Sequence, residues 1–164
     1  VAKGGRHSIA LADGSMVEVT VPAGVEDGQV LRLKGKGGAG LGGGPPGDAL
    51  VEVRIRPHPH FERRGSDIHL ALPITLGEAL RGAKVTVPTL TGPVTMTVPK
   101  GASTGARLRL RGKGLPHGRG HGDQYVRLEV ALPPGADADL AAAVERWEQA
   151  HPYDPRRDLM REAG

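Results

Sequence analysis

The chain has 164 residues, a formal net charge of +4 and no cysteine, and its aromatic residues are one Phe, one Trp and two Tyr. The absence of cysteine excludes disulfides, thiolate metal sites and a cysteine nucleophile, and it fits a reducing compartment, so we predict a cytoplasmic protein. No apolar run approaches the ~18 residues that cross a bilayer, so we predict no membrane partner.

One phrase occurs twice, at residues 20–37 and again at 97–114, an offset of 77 residues. Both copies begin with Thr-Val-Pro and end on Leu-x-Leu-(Lys/Arg)-Gly-Lys-Gly, and a Gly-Asp pair follows each. A repeat of this length predicts one structural unit used twice. We therefore predict an all-β fold of two tandem β-sandwich-like domains, residues 1–62 and 63–134, followed by a C-terminal α-helix within residues 135–164.

The first unit alternates apolar and polar residues between glycine turns, which is the pattern of half-buried strands. Asp13-Gly14 and Asp27-Gly28 are typical of tight turns between strands. A long glycine-rich loop is predicted over residues 35–47. The strands of this unit are predicted at Ile9–Leu11, Val17–Val21, Val30–Lys34 and Val51–Ile55.

The second unit opens with features that the first unit lacks. Residues 68–74 alternate as a strand, Thr75 and Glu78 have the spacing of a helix capping box, and Gly82 ends the short helix. At the offset of 77 residues Gly82 falls on Gly5, so the first unit has no counterpart of the opening strand. We therefore expect the chain to be a fragment cut inside its first domain.

Between the two units, residues 57–65 are predicted to form a polar joint that contains one aromatic residue, Phe61. After the short helix the strand alternation resumes in the order of the first unit. The remaining strands are predicted at Val85–Val87, Val94–Val98, Leu108–Leu110 and Val126–Leu132.

The composition changes after Pro133-Pro-Gly, where a helix is predicted. Asp137 or Asp139 can cap its N-terminus, because a short acidic side chain accepts the free backbone N–H groups there. Leu140, Val144 and Trp147 recur at i, i+4 and i+7 and form one apolar face. That face must pack on the chain's own sheet or on another copy of the chain.

Several motifs that suggest chemistry are better explained as ordinary surface. Gly35 to Gly40 fits G-x-G-x-x-G, but the glycines and prolines that follow prevent the helix a dinucleotide site needs. The seven histidines lack the spacing of a zinc enzyme, so we predict no metal and no cofactor. The acids are spread over turns and outer faces, so we predict that the chain is not an enzyme.

Basic residues recur on one face of a strand in each unit, an arrangement that can follow a phosphate backbone. Proteins that bind nucleic acid often add stacking aromatics or a groove-reading helix. No aromatic lies in these strands, so a solvated surface is the favoured explanation and nucleic-acid binding the alternative. The residues are Arg32, Lys34 and Lys36 in the first unit, and Arg107, Arg109, Arg111 and Lys113 in the second.

The order of the motifs resembles the C-terminal client-binding region of the J-domain (DnaJ) co-chaperones, over residues 2 to about 150. The chain has neither the cysteine-rich zinc module of some members nor the His-Pro-Asp motif of a J domain, so it resembles the zinc-free subclass without its J domain. The resemblance is carried by Pro-x-Gly-x-x-x-Gly, Leu-x-Leu-x-Gly-Lys-Gly, His58-Pro-x-Phe61-x-Arg63-x-Gly65-x-Asp67-Ile68, Glu78-Ala79-x-x-Gly82 and Val87-Pro-Thr-Leu-x-Gly92.

The resemblance implies a non-enzymatic co-chaperone active in protein folding and the stress response. It would hold unfolded client polypeptides at an apolar groove and an exposed strand edge, for delivery to a DnaK-type chaperone. By motif, the groove residues are Ile9, Leu11 and Phe61. Core packing remains an equal alternative for Ile9 and Leu11, because alternation alone does not separate the two roles.

Two further contacts follow from the resemblance. Arg6 and His7 are similar to the basic residues that receive the acidic tail of the partner chaperone in some members. The family's C-terminal segment forms a homodimer, for which Leu140, Val144 and Trp147 are the candidate contacts.

Overall fold

The structure, a computed structural model, describes residues 2–11, 13–40, 42, 44–135 and 137–162. Its elements are mostly strands, with one short helix inside the β region and two at the C-terminus. The strands are β1 Gly5–Ala10, β2 Met16–Val21, β3 Val30–Leu33, β4 Ala49–Glu52, β5 Phe61–Arg64, β6 Asp67–Thr75, β7 Ala83–Val87, β8 Val94–Val98, β9 Arg107–Leu110, β10 Pro116–His117, β11 Gly120–His121 and β12 Gln124–Ala131. The helices are α1 Leu76–Arg81, α2 Ala138–Ala150 and α3 Arg157–Glu162.

The strands form antiparallel hairpins and one larger sheet. The described two-stranded sheets pair β1 with β2, β3 with β4, β7 with β8 and β10 with β11, and the four-stranded sheet has the order β5-β6-β12-β9. The predicted all-β class with a C-terminal helix is confirmed. None of the described helices has the length and apolarity that a bilayer span requires.

The chain divides into two compact units, Val1–Val130 and Ala131–Gly164. The first contains both copies of the repeat, and the second contains α2 and α3. The domain boundary that we predicted between residues 62 and 63 falls inside β5 and stays a prediction.

The two copies of the repeat have the same local geometry. Strands β3 and β9 occupy equivalent positions at the offset of 77 residues. The Gly28 N–H donates to the Val53 carbonyl at 2.8 Å, and the Gly105 N–H donates to the Leu128 carbonyl at 2.8 Å. Both glycines have positive φ, 76° and 93°, which explains why glycine occurs here in each copy.

The main hydrophobic core lies between Leu70 and Leu128, around the second copy of the repeat. It is built from aliphatic residues of β6, α1, β7, β8 and β12, as the scarcity of aromatic residues requires. Phe61 and half-buried residues of β9 pack against it. The buried members of the cluster are Leu70, Ile74, Ala79, Val87, Met96, Val98, Val126 and Leu128.

The helix caps form as the sequence predicts. The Glu78 N–H donates to Thr75 Oγ1 at 3.1 Å, and the Thr75 N–H donates to Glu78 Oε2 at 2.8 Å, so the capping box is complete. At the start of α2, the Leu140 N–H donates to Asp137 Oδ1 at 2.8 Å. Of the two predicted caps, Asp137 is therefore the one used.

The predicted joint at residues 57–65 is partly a strand. Phe61–Arg64 forms β5 and pairs with β6, with Phe61 opposite Leu70 and Arg63 opposite Ile68. Phe61 and Arg63 alternate with two exposed residues and are half-buried. A single apolar residue is too weak a pattern to predict a strand, and pairing with β6 decides the structure here.

Candidate functional site

A cavity of about 720 Å³ lies beside β5. Ten consecutive residues, 55–64, contribute to its lining, so the segment that leads into β5 and β5 itself form one wall. Other lining residues come from β6, β9 and β12 and from the loops that carry Leu90 and Leu115. The cavity lies within the Val1–Val130 unit.

Phe61 forms part of the cavity wall. Its ring lies 4.9 Å from the ring of His58, measured between centroids. His58 Nδ1 accepts the N–H groups of His60 at 3.1 Å and of Phe61 at 3.3 Å, so the imidazole holds the turn that leads into β5. This turn fixes the position at which Phe61 enters the cavity.

Arg63, two residues further along β5, ties the cavity wall to the first repeat. Its Nη1 donates to the Val25 carbonyl at 2.6 Å, its Nη2 to the Gly24 carbonyl at 3.2 Å and its Nε to the Gly65 carbonyl at 2.7 Å. A guanidinium has enough donors to satisfy all three carbonyls at once. Sequence reasoning missed this role, because the partners lie 38 and 39 residues away.

Gly24 shows how closely the two repeats approach each other. Its φ is 77°, and a Cβ on this residue would collide with the carbonyl oxygen of Pro116. Val25 and Leu115, both buried, lie next to this contact in sequence. The cavity wall therefore rests on a close backbone contact between the first repeat and the second.

The cavity is both apolar and cationic. Its described lining includes five arginines against one glutamate, Glu62. The Arg64 guanidinium donates to Glu62 at 2.9 Å, which lowers the pKa of the Glu62 carboxyl and raises that of the Arg64 guanidinium. The arginines are Arg56, Arg63, Arg64, Arg107 and Arg127.

The structure does not bring the three predicted groove residues together. Ile9 is half-buried on β1 and is absent from the described lining of the Phe61 cavity. Leu11 lines a separate cavity of about 500 Å³, beside Lys36 and Pro46. The client-binding role of Ile9, Leu11 and Phe61 stays a prediction.

The two predicted tail-binding residues lie on β1. Arg6 and His7 are both exposed, and Arg6 Nη1 lies 3.9 Å from a carboxylate oxygen of Glu18, on β2. An exposed ion pair of this length contributes little to stability. Arg6 is therefore available for another anion, and its role stays a prediction.

The predicted dimerisation residues lie on α2. Val144 is 40% and Trp147 53% exposed. Leu140 is half-buried. The Trp147 ring stacks on His151 with centroids 4.8 Å apart and meets Tyr153 edge-on at 5.9 Å. Aromatic side chains thus extend the apolar face beyond the end of α2, and its contact with a second copy stays a prediction.

Among the described residues, no group of three or more His, Cys, Asp or Glu side chains could hold a metal ion. His58 and His60, two residues apart in the sequence, have ring centroids 6.0 Å apart. His58 instead serves the backbone turn before Phe61.

Comparison with known proteins places the chain in a family. Residues 3–133 match the model of the DnaJ C terminal domain. Over 144 residues the chain is 42% identical to the curved DNA-binding protein of Coxiella burnetii (strain Dugway 5J108-111), covering 88% of this chain and 46% of the relative. It is 49% identical over 119 residues to the chaperone protein DnaJ of Shouchella clausii (strain KSM-K16), covering 71% of this chain and 32% of the relative.

A third relative gives the same picture. The chain is 43% identical over 143 residues to the curved DNA-binding protein of Escherichia coli O9:H4 (strain HS), covering 87% of this chain and 47% of the relative. The chain thus spans less than half the length of each of these three proteins. The match to the family model covers most of the chain and both copies of the repeat, so the resemblance seen in the sequence is confirmed, and the chain belongs to the DnaJ C-terminal domain family.

Proposed function

We propose that the chain holds segments of unfolded polypeptide in the cavity beside Phe61, without catalysis, and delivers them to a DnaK-type chaperone in the cytoplasm. Family membership and relatives named as DnaJ chaperones support a chaperone-related role. The observation that carries the finer proposal is the cavity of about 720 Å³, with Phe61 in its wall. Its volume lies within the range of about 300–1,000 Å³ that is typical of ligand sites.

The strand beside the cavity suits an extended client. β5 is an edge of the described four-stranded sheet, so one side of its backbone faces away from β6. Backbone hydrogen bonds to such an edge tolerate any client sequence, and an adjacent apolar pocket favours side chains that a folded protein would bury. An edge and a pocket together select unfolded chains without selecting one sequence.

β1 offers a second edge. Among the described strands it pairs with β2 alone, and its residues are exposed apart from the half-buried Ile9. We assign Ile9 and Leu11 a secondary contact with the same client, separate from the Phe61 cavity. A client that engages both edges gains affinity from the second contact at little entropic cost.

The test compares Phe61→Ala with Leu50→Ala. Leu50 is 70% exposed and does not appear among the described lining residues of either cavity, so its truncation removes apolar surface elsewhere. Affinity is measured by fluorescence anisotropy of a labelled, permanently unfolded polypeptide, reduced and carboxymethylated. We expect Phe61→Ala to weaken binding about tenfold, as loss of an anchor side chain does, and Leu50→Ala to change it less than about twofold.

Phe61 also packs against the core, so the fold is checked by thermal unfolding of each variant. Phe61→Leu keeps an apolar side chain and is expected to recover most of the affinity. Equal loss in Phe61→Ala and Leu50→Ala, with both variants folded, would show that the cavity is not the client site.

The proposal also includes a contact with the DnaK-type chaperone and a contact between two copies of the chain. We assign Arg6 and His7 to the acidic tail of the DnaK-type chaperone, because both are exposed and basic on one strand. We assign the α2 face of Leu140, Val144 and Trp147 to a homodimer contact. Two weak client sites in one dimer would act at high effective concentration on one client.

Nucleic-acid binding is a second candidate function. Relatives from Coxiella burnetii and Escherichia coli carry the name curved DNA-binding protein, and this chain has basic strands in both repeats. Salt separates the two functions: phosphate contacts weaken steeply as salt rises, whereas apolar capture of a client does not. Anisotropy titrations of both ligands at two salt concentrations make this comparison directly.

A further inference from the structure

A pair of stacked rings stands on the solvent side of the four-stranded sheet. His69 on β6 and Tyr125 on β12 have centroids 5.2 Å apart and ring planes inclined by 21°. Their neighbours along the strands, Ile68, Leu70 and Val126, are buried. Because side chains alternate between the faces of a strand, the two half-buried rings lie on the face opposite the core.

Arginines surround these rings. In the pairing of β12 with β9, Tyr125 lies opposite Arg109 and Arg127 lies opposite Arg107. All three arginines are exposed. We call the group formed by His69, Tyr125 and these three arginines the sheet platform.

The charges of the platform are unbalanced. Arg109 is bound by Asp123, and Arg127 has a carboxylate oxygen of Glu129 at 2.6 Å. Within the described part of the chain, Arg107 has no carboxylate within 4 Å. Like charges directly opposite each other destabilise a sheet, so an anion between Arg107 and Arg127 would relieve the pair.

From these contacts we infer that the sheet platform binds single-stranded nucleic acid, an inference that rests on the second proposed function. Phosphates lie on Arg107 and Arg127, and unpaired bases stack beside His69 and Tyr125. A sheet that carries aromatic rings reaches the faces of unpaired bases, whereas the bases of a duplex are already stacked. An acidic peptide would supply the charge but no planar group for the rings.

The first repeat shows what the platform adds. Arg32 on β3 lies opposite Leu50 on β4, as Arg109 lies opposite Tyr125. The same register thus places a leucine where the second repeat has a tyrosine. Lys34 and Lys36 follow β3 and are exposed, which makes them a matched pair of positive charges in a repeat whose described strands β3 and β4 contain no aromatic residue.

The test measures anisotropy of a labelled 12-residue oligodeoxythymidine at about 50 mM salt. We expect Arg107→Ser with Arg127→Ser to weaken binding at least about tenfold and to reduce the salt slope by about 1.4, because two phosphate contacts are lost. Lys34→Ser with Lys36→Ser removes the same amount of charge. This variant is expected to weaken oligonucleotide binding less than about threefold. Tyr125→Leu is expected to cost at least about fivefold, with Tyr125→Phe unchanged.

Three results would overturn the inference: equal losses in the two charge pairs, full affinity in Tyr125→Leu, or equally tight binding of duplex DNA or of poly-glutamate. Thermal unfolding of each variant confirms that it is folded. Because Arg107 and Arg127 also line the Phe61 cavity, the unfolded polypeptide is titrated against the wild type. Oligonucleotide binding without client binding would overturn only the first proposed function. Client binding without oligonucleotide binding would overturn nucleic-acid binding and this inference together. Oligonucleotide binding by the wild type that survives in the platform variants would overturn this inference alone.

Discussion

Arg109 and Asp123 are joined in the second repeat by a geometry that recurs between Arg32 and Asp48 in the first. Arg109 Nε donates to Asp123 Oδ2 at 2.6 Å, while Asp123 Oδ1 accepts the N–H of Gly112 at 2.7 Å. In the first repeat Arg32 and the N–H of Gly35 bind Asp48 in the same way. Each aspartate thus closes the turn after the basic strand, which is why a Gly-Asp pair follows both copies of the repeated phrase.

The two aspartates predict how stability depends on pH. The Gly112 N–H, and after it Arg109, lowers the pKa of the Asp123 carboxyl, and the Gly35 N–H and Arg32 do the same for Asp48. A carboxyl whose pKa is lower in the folded state stabilises the fold above its unfolded pKa of about 3.9, and this contribution is lost as pH falls through the folded pKa. Asp48→Asn with Asp123→Asn should therefore lower Tm at pH 7. In a series from pH 7 to pH 2 the gap to the wild type should begin to close at about pH 4.

Thermal unfolding followed by circular dichroism over this pH range is the measurement. Asparagine keeps an oxygen that can accept the glycine N–H, so the variant removes mainly charge. Glu148→Gln, which removes one charge from an exposed helix residue outside the repeats, is the control and should leave the profile unchanged. A constant gap from pH 7 to pH 2 would contradict the assignment.

The hydrogen bonds of Arg63 allow a prediction of how much this side chain stabilises the Val1–Val130 unit. Arg63→Ala leaves three backbone carbonyls without their charged donor, and we expect the free energy of unfolding of the Val1–Val130 unit to fall by about 2 kcal/mol. Arg63→Lys should recover only part of the lost free energy of unfolding, because an ammonium lacks the planar fork of donors that reaches all three carbonyls. The measurement is urea unfolding followed by circular dichroism, because the chain has too few aromatic residues for fluorescence.

The neighbouring arginine is the control for Arg63. Arg64 pairs only with exposed Glu62 across the described contacts, so Arg64→Ala should change stability little. Equal effects of Arg63→Ala and Arg64→Ala would show that the bonds from β5 to the first repeat contribute nothing measurable.

Close backbone packing at Gly114 predicts a steric effect. A Cβ on Gly114 would lie 2.5 Å from the Ser66 carbonyl oxygen and 2.6 Å from the carbonyl carbon of Gly122. Gly114→Ala should therefore destabilise the fold by about 1–3 kcal/mol, the usual cost of overpacking. Chemical unfolding measures this, with Gly120→Ala as the control, because a Cβ at Gly120 meets nothing within 4 Å. Equal stability of the two variants would contradict close backbone packing at Gly114.

Local chemistry accounts for what the sequence predicted well. The Thr75 and Glu78 capping box and the Asp137 cap depend on residues three positions apart, so spacing alone reveals them. The hairpins follow from alternation and from glycines in positive-φ turns, such as Gly14 between β1 and β2. These signals act within a few residues and need no knowledge of the tertiary fold.

Long-range pairing accounts for what the sequence did not predict. β5 contains one apolar residue and becomes a strand because β6 lies beside it. Tyr125 lies outside the basic strand, so no local pattern connects it with the arginines, yet pairing of β12 with β9 sets it opposite Arg109. The bond from Arg63 to Val25 joins residues that no local pattern connects.

The exposed face of α2 gives the last prediction. Val144 and Trp147 stand one turn apart, with 40% and 53% of their surfaces exposed, and the Trp147 ring is already fixed against His151. Rigid aromatic anchors of this kind dominate contacts between proteins. We expect the wild-type chain to be a dimer, and Val144→Ala with Trp147→Ala to be a folded monomer, with Kd for dimerisation raised at least about thirtyfold.

Sedimentation equilibrium of both proteins over a concentration series gives these values. Glu145→Ala with Glu148→Ala, on the same helix, is the control and should leave the dimer intact. A wild-type monomer at all concentrations would remove the second client site from the mechanism. The Phe61 cavity of a single chain would then have to account for all client binding, and client affinity would no longer depend on chain concentration.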